Sequence, residues 1–138
     1  MQLRFFPVTL IAFAATVIAP PAWPAQEQIV SSGQITFISG GIGEDAVEYL
    51  RALSKDFNLK LIFAHKDGHY LADVAVTIGD ARGAKVLEIV SDGPWFLGKL
   101  APGKYQVTAS YEGVSFTRAT AIPGAGQREL IFRWDHAD

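Results

Sequence analysis

The chain has 138 residues and no cysteine, which excludes disulfides, thiol catalysis and cysteine-based zinc sites. Its formal charge is −2 at pH 7, so it offers no polycationic surface and nucleic acid is a poor candidate partner. The length suits one domain.

The first 25 residues have the layout of a secretory signal peptide. Arg4 gives a short positive start, an apolar run follows over Phe5–Ala19, and prolines with small residues end it. The run is shorter than the roughly 20 residues that a membrane-spanning helix needs, which favours cleavage over anchoring. We expect cleavage after Ala25, with Ala22 or Ala19 as alternatives. The mature protein is then periplasmic or secreted and not embedded in a membrane.

A β-α-β pattern follows over residues 34–64, after a short polar linker at residues 26–33. Residues 34–40 are β-rich and predict a first strand. The apolar period then changes to three or four residues, which predicts one buried helix face made of Val47, Leu50, Leu53 and Phe57. Asn58 is expected to close the helix in the left-handed conformation. Leu59–Ala64 is almost wholly apolar and predicts a second strand covered on both faces.

Short strands separated by turn signals fill the rest of the chain. The turns are "HKDGHY", "DARG", "SDGP", Pro102-Gly103, Glu112-Gly113 and "IPGAGQ". Strict alternation places Tyr105, Val107, Ala109 and Tyr111 on one side of a half-buried strand. A turn about every ten residues indicates a mainly β fold, an antiparallel Greek-key-type β-sandwich of seven or eight strands with one N-terminal α-helix. We expect one domain over residues 34–138.

Residues 68–134 resemble the carboxypeptidase regulatory-like domain, a transthyretin-like (prealbumin-like) β-sandwich. The match consists of alternating valines, a D-x-x-G turn, an Asp-Gly turn and an L-x-P-G-x-Y-x-V motif followed by glycine. These are Val74, Val76, Asp80, Gly83, Asp92, Gly93, Leu100, Pro102, Gly103, Tyr105, Val107 and Gly113. The whole chain is also similar to small exported proteins of Gram-negative bacteria in which a comparable β-α-β addition precedes this part. The resemblance implies a sandwich but no activity, because sites are grafted onto folds.

The sequence lacks the motifs of the enzymes that are associated with this domain or that share its fold. A zinc carboxypeptidase needs a His-x-x-Glu pair, but the residues three positions after His65 and His69 are Gly68 and Ala72. The transthyretin-like hydrolase that opens hydroxyisourate ends in a Tyr-Arg-Gly-Ser type tail, whereas this chain ends in "FRWDHAD". There is no G-x-S-x-G elbow. Asp80 and Asp92, imagined as paired carboxylates, occupy turn positions that favour aspartate. We therefore predict no catalytic residue.

Two further stretches invite a ligand. "SGGIGED" is a glycine-rich turn before a helix, but it lacks the Lys and Ser/Thr of a P-loop, and Glu44 and Asp45 repel an anion. His65 and His69 flank Asp67 at a spacing that chelates zinc on a helix, although Asp67-Gly68 indicates a turn. A polar solvated loop is the simpler interpretation, and the sequence leaves metal binding there open.

The expected function is a non-enzymatic periplasmic domain with a binding or structural role in the cell envelope. Its partner is an unknown envelope protein, glycan or peptide, and no cofactor or metal is predicted. A carbohydrate- or peptide-binding module is the alternative. In such a module an exposed Trp95 would stack on a sugar ring or a proline. Burial of Trp95 as a plug at one end of the sandwich is favoured instead, because its side chain is large and apolar. A transthyretin-like hydrolase is the third hypothesis. It needs one pocket lined by His65, His69, Arg118, Arg128 and Arg133.

Overall fold

The computed structural model describes residues 29–32 and 35–135, so the predicted signal peptide at residues 1–25 lies outside the described part. The described part confirms the mainly β fold with one short helix. Its helix α1 spans Glu44–Leu53 and continues into a 3₁₀ turn at Ser54–Asp56. Its strands are β1 Val30–Ser32, β2 Ile35–Gly40, β3 Leu59–His65, β4 Val74–Asp80, β5 Lys85–Ser91, β6 Trp95–Lys99, β7 Gly103–Tyr111, β8 Val114–Ile122 and β9 Arg128–Trp134.

The strands form two sheets, one of five strands in the order β1-β2-β6-β3-β9 and one of four in the order β5-β4-β7-β8. Every pair is antiparallel except β3 and β9, where Leu59 lies opposite Arg128 and His65 opposite Trp134. The expected purely antiparallel arrangement is wrong at this one pair. Within the linker predicted at residues 26–33, Val30–Ser32 instead form a strand, β1, that pairs with β2.

The β-α-β unit at residues 34–64 is built into the five-stranded sheet. Its strands β2 and β3 lie on either side of β6, so that Ile38 lies opposite Leu97 and Leu61 opposite Phe96. Helix α1 packs on the outer face of this sheet with the predicted apolar side. That cluster contains Ile38, Val47, Leu50, Leu53, Phe57, Trp95 and Leu97. The N-terminal unit therefore shares one sheet with β6 and β9 from the later part of the chain.

The main core lies between the two sheets. Val74, Val76 and Ile78 of β4 are fully buried, as predicted from their alternation. Val107 and Ala109 of β7 are fully buried beside them, and Tyr105 and Tyr111 pack against the same core. Burying a side chain of valine or leucine size stabilises a fold by about 1.5–3 kcal/mol, so this core is the main source of stability.

Two local predictions are wrong. Asn58 does not close the helix with a positive φ; among the described non-glycine residues only Asp73 and Glu112 have one. Its side chain instead holds the backbone of Leu100: Asn58 Nδ2 donates to the Leu100 carbonyl at 2.6 Å, and the Leu100 N–H donates to Asn58 Oδ1 at 2.9 Å. Pro102 lies at a bend rather than a tight turn, and Gly103 already belongs to β7. The chain changes sheets there.

No helix in residues 29–32 and 35–135 is both long enough and apolar enough to cross a membrane.

Candidate binding site between strands β8 and β9

The edge strands β8 and β9 of the two sheets are in contact at one end and separate at the other. At the closed end Trp134 stacks edge-on against Phe116 at 5.3 Å, and its Nε1 donates to the Val114 carbonyl at 3.0 Å. The Arg118 guanidinium lies 5.0 Å from the centre of the Phe132 ring. Beyond these contacts a cavity of about 920 Å³ opens between the end of β8 and the start of β9.

Three positively charged side chains line this cavity. Arg82, Lys104 and Arg128 all border it. Within residues 35–135 none of the three forms a salt bridge. Two carboxylates also border it, which leaves a formal excess of one positive charge (three minus two) in a chain of net charge −2.

Both carboxylates already have partners. Asp80 Oδ1 accepts hydrogen bonds from the backbone N–H groups of Arg82 at 2.9 Å and Ala84 at 3.0 Å, closing the "DARG" turn. Glu129 Oε2 lies 3.9 Å from Lys60 Nζ. These contacts hold the two carboxylates in place without removing their charge, so the cavity keeps an excess of one positive charge that favours an anion.

Two hydroxyl groups add hydrogen-bonding capacity. Thr120 lies opposite Tyr105 in the β7–β8 ladder, and therefore on the inner face of β8. Its Oγ1 is buried and has no hydrogen-bond partner in the described part of the chain. A buried hydroxyl without a partner costs stability, so this atom is a candidate hydrogen-bonding group of the site. The Tyr105 hydroxyl donates to the Ala101 carbonyl at 2.7 Å.

Burial, and secondarily the negative charge of Asp80, raise the pKa of Tyr105 above its ordinary value of 10.0. The phenol is therefore neutral at physiological pH. It contributes a ring wall and a hydrogen-bonding group to the cavity rather than a charge.

The structure does not assemble the five residues of the hydrolase hypothesis into one pocket. His65 and Arg133 share a separate cavity of about 350 Å³ on the outer face of the five-stranded sheet. Arg118 faces the interior, over Phe132. Arg128 lies six positions from Trp134 along β9, about 20 Å from the His65 end.

The histidine loop is a turn, as predicted. Gly68 has a φ of 98°, and the exposed His69 has its Nδ1 2.9 Å from Asp67 Oδ2. In the part of the chain that the structure describes, no three histidine or carboxylate side chains come close enough together to hold a metal ion. His136 lies outside that part.

Trp95 is buried, as favoured, but does not plug an end of the sandwich. It lies on the outer face of the five-stranded sheet in the cluster under α1, with Lys60 Nζ 4.0 Å from its ring centre and Gly41 against the ring. The faces that a sugar ring needs are therefore occupied. The glycine-rich turn before α1 holds Gly43 as the helix N-cap, with Glu44 and Asp45 in the first turn.

Comparison with protein-family models finds no match, and a search of curated proteins finds no relative. The resemblance to the regulatory-like domain therefore depends on its motif residues alone, and the cavity must be interpreted from its own chemistry. Sequence reasoning missed this cluster: of its three cations only Arg128 was singled out, and for a different pocket. Arg82 lies in a turn, and Lys104 and Arg128 lie at strand starts; only the strand order brings them together.

Proposed function

We propose that this chain is an exported, non-enzymatic β-sandwich domain of the bacterial cell envelope that binds a negatively charged envelope component in the cavity between β8 and β9. Export is inferred from the signal-peptide pattern of residues 1–25. Binding is inferred mainly from one observation: Arg82, Lys104 and Arg128 border one cavity, and within the described residues none of them forms an ion pair.

The electrostatic argument is direct. Like charges gathered around one concave surface repel each other, and its low-dielectric walls strengthen the field. Because the three side chains are solvent-exposed, this repulsion costs the fold little, and the main effect of the arrangement is to attract an anion. The unsatisfied Thr120 hydroxyl in the same wall points the same way. A bound anion with hydrogen-bonding oxygens satisfies both.

Binding is tested by thermal unfolding of the purified chain with sodium polyglutamate, polygalacturonate, inorganic phosphate and neutral dextran. The key variant combines Arg82→Gln, Lys104→Gln and Arg128→Gln. A matched control removes three exposed cations that do not line the cavity, Arg51→Gln, Lys55→Gln and Lys99→Gln. We expect at least one polyanion to raise the melting temperature of the wild type and the control, but not of the cavity variant. Equal shifts in all three proteins, or no shift with any anion, contradict the proposal.

Export and the absence of catalysis need their own measurements. The tagged chain, expressed in a Gram-negative host, should accumulate in the periplasmic fraction, and removal of the charge and apolar run of residues 1–25 should retain it in the cytoplasm. A panel of ester, amide, glycoside and ureide substrates should show no turnover above buffer. Turnover that disappears in the cavity variant would overturn the non-enzymatic interpretation.

A further inference from the structure

The geometry points to a specific ligand class: we infer that the cavity binds an acidic, extended peptide segment of a partner protein, which adds to the free edge of β8 as an extra strand. This inference rests on the proposed function and deepens it. Two features outside the cavity carry it, the edge of β8 and the order of side chains along its inner face.

The edge of β8 lacks the devices that usually block strand addition. It runs nine residues, contains no proline and carries one charge, Arg118, and among the described strands it pairs with β7 alone. The other edges are protected: β1 has three residues, β5 carries Lys85 and Glu88 and pairs with β4 through a bulge, and β9 carries Arg128, Glu129 and Arg133. Charges, bulges and short length are the common protections of sheet edges.

The hairpin between β7 and β8 determines which main-chain groups face that edge. Glu112 and Gly113 both have positive φ, 47° and 81°, and Tyr111 lies opposite Val114. In a two-residue turn of this kind the residues on either side of the turn, Tyr111 and Val114, exchange both backbone hydrogen bonds. Every second residue of β8, counted from Val114, therefore bonds to β7 through its backbone. The alternate residues of β8 direct their N–H and C=O groups away from β7, toward the free edge. All four have small side chains: Ser115, Thr117, Ala119 and Ala121. A partner backbone meets no bulky side chain there.

The inner face of β8 specifies the chemistry of the added strand. Val114 and Phe116 remain 51 % and 39 % exposed at the closed end, although they are apolar. Arg118 and Thr120 follow on the same face, toward the end where the cavity opens. Alternate side chains of an added strand lie over this same face. The complementary segment is therefore apolar opposite Phe116 and acidic opposite Arg118 and the cavity.

Arg118 also argues against a second copy of this chain as the occupant. When β8 pairs with itself about its central residue, Arg118 faces Arg118, and like charges directly opposite are destabilising. An apolar strand added at this edge would cover the Arg118 guanidinium without pairing its charge, whereas a carboxylate would pair with it. The edge is therefore selective for an acidic segment.

The experiment uses four capped peptides of about ten residues. In the parent peptide every second residue is threonine, which faces away from the core. The residues between the threonines face inward; they are valine in the half that meets Phe116 and glutamate in the half that meets the cavity. The second replaces glutamate by lysine, the third carries N-methyl groups on alternate amides, and the fourth replaces valine by serine. Polygalacturonate serves as an anion without a strand backbone. Affinities for the full chain are measured by calorimetry.

We expect the parent to bind, and the lysine and N-methyl versions to lose at least about tenfold in affinity, the equivalent of one to two lost hydrogen bonds or charge pairs. Ala119→Pro removes an edge N–H that β7 does not use, so it should lower the affinity for the parent peptide by the same factor. If the proline variant misfolds by circular dichroism, the N-methyl peptide still decides the question.

The outcomes separate this inference from the proposed function. If polygalacturonate binds and the peptides do not, or if N-methylation changes nothing, strand addition is overturned while anion binding in the cavity stands. If no anionic probe binds and the cavity variant behaves like wild type, both proposals fail.

Discussion

Tyr105 links the fold to the cavity at the scale of a single residue. Its ring is partly buried against the core, and its hydroxyl bonds to Ala101. Tyr105→Ala should lower the free energy of unfolding by about 2–3 kcal/mol, below the 3–5 kcal/mol typical of fully buried aromatics. Urea unfolding measures this loss. Tyr70→Ala is the control, because Tyr70 is 68 % exposed and its loss should stay within about 0.5 kcal/mol. Equal losses contradict the assigned face of β7.

The tyrosines also make stability depend on alkaline pH. Burial raises the pKa of both Tyr105 and Tyr111 above 10.0; Asp80 adds to the shift of the first, and Glu112 and Asp73 to that of the second. A raised pKa in the folded state means that the unfolded chain loses the proton first, so the stabilisation is complete below about pH 10 and is lost as the pH rises.

Melting temperatures measured between neutral pH and about pH 11.5 test this linkage. The double variant Tyr105→Phe/Tyr111→Phe should lose less stability than the wild type as the pH passes 10. Tyr70→Phe, which removes an exposed phenol, should follow the wild-type curve. Parallel curves for the wild type and the double variant would show that neither phenol is coupled to folding.

At the scale of elements, the turn between β5 and β6 is pressed against the end of β2. A Cβ added to Gly93 would overlap the backbone carbonyl of Gly40, and backbone atoms cannot rotate away as a side chain can. Gly93→Ala should therefore destabilise the fold by about 1–3 kcal/mol, the usual cost of overpacking.

Gly124→Ala is the matched control, because a Cβ there meets open space in the loop between β8 and β9. Its unfolding free energy in urea should stay within about 0.5 kcal/mol of the wild type. A Gly93 variant as stable as this control would mean that β2 and the β5–β6 turn are farther apart than described.

Elements with a local signature were predictable from the sequence. The alternation in β4 and β7 and the helical period around Leu50 report directly which side is buried, and the structure buries those sides. The position of β6 between β2 and β3, and the parallel pairing of β9 with β3, join segments far apart in the chain. No local pattern specifies such pairing. Asn58 shows the same limit: its position after the helical pattern predicts a helix cap, but its side chain binds the backbone of Leu100, 42 positions further along the chain.

The whole molecule determines the site more than any motif does. The cavity exists because β8 and β9 belong to different sheets and separate beyond Arg118, and its cations come from a turn and from two strand starts. The sequence predicted a sandwich platform and an export signal, and neither prediction locates a ligand. Topology supplies that missing information by bringing Arg82, Lys104 and Arg128 to one opening.

The free energy of unfolding of the triple variant Arg82→Gln/Lys104→Gln/Arg128→Gln, measured with and without polyglutamate, tests the central claim most directly. If these cations serve a ligand, the variant without ligand is at least as stable as the wild type, because like charges are removed, and polyglutamate stabilises the wild type alone. A variant that is less stable by more than about 1 kcal/mol in the absence of any ligand, and that polyglutamate stabilises as much as the wild type, contradicts the account.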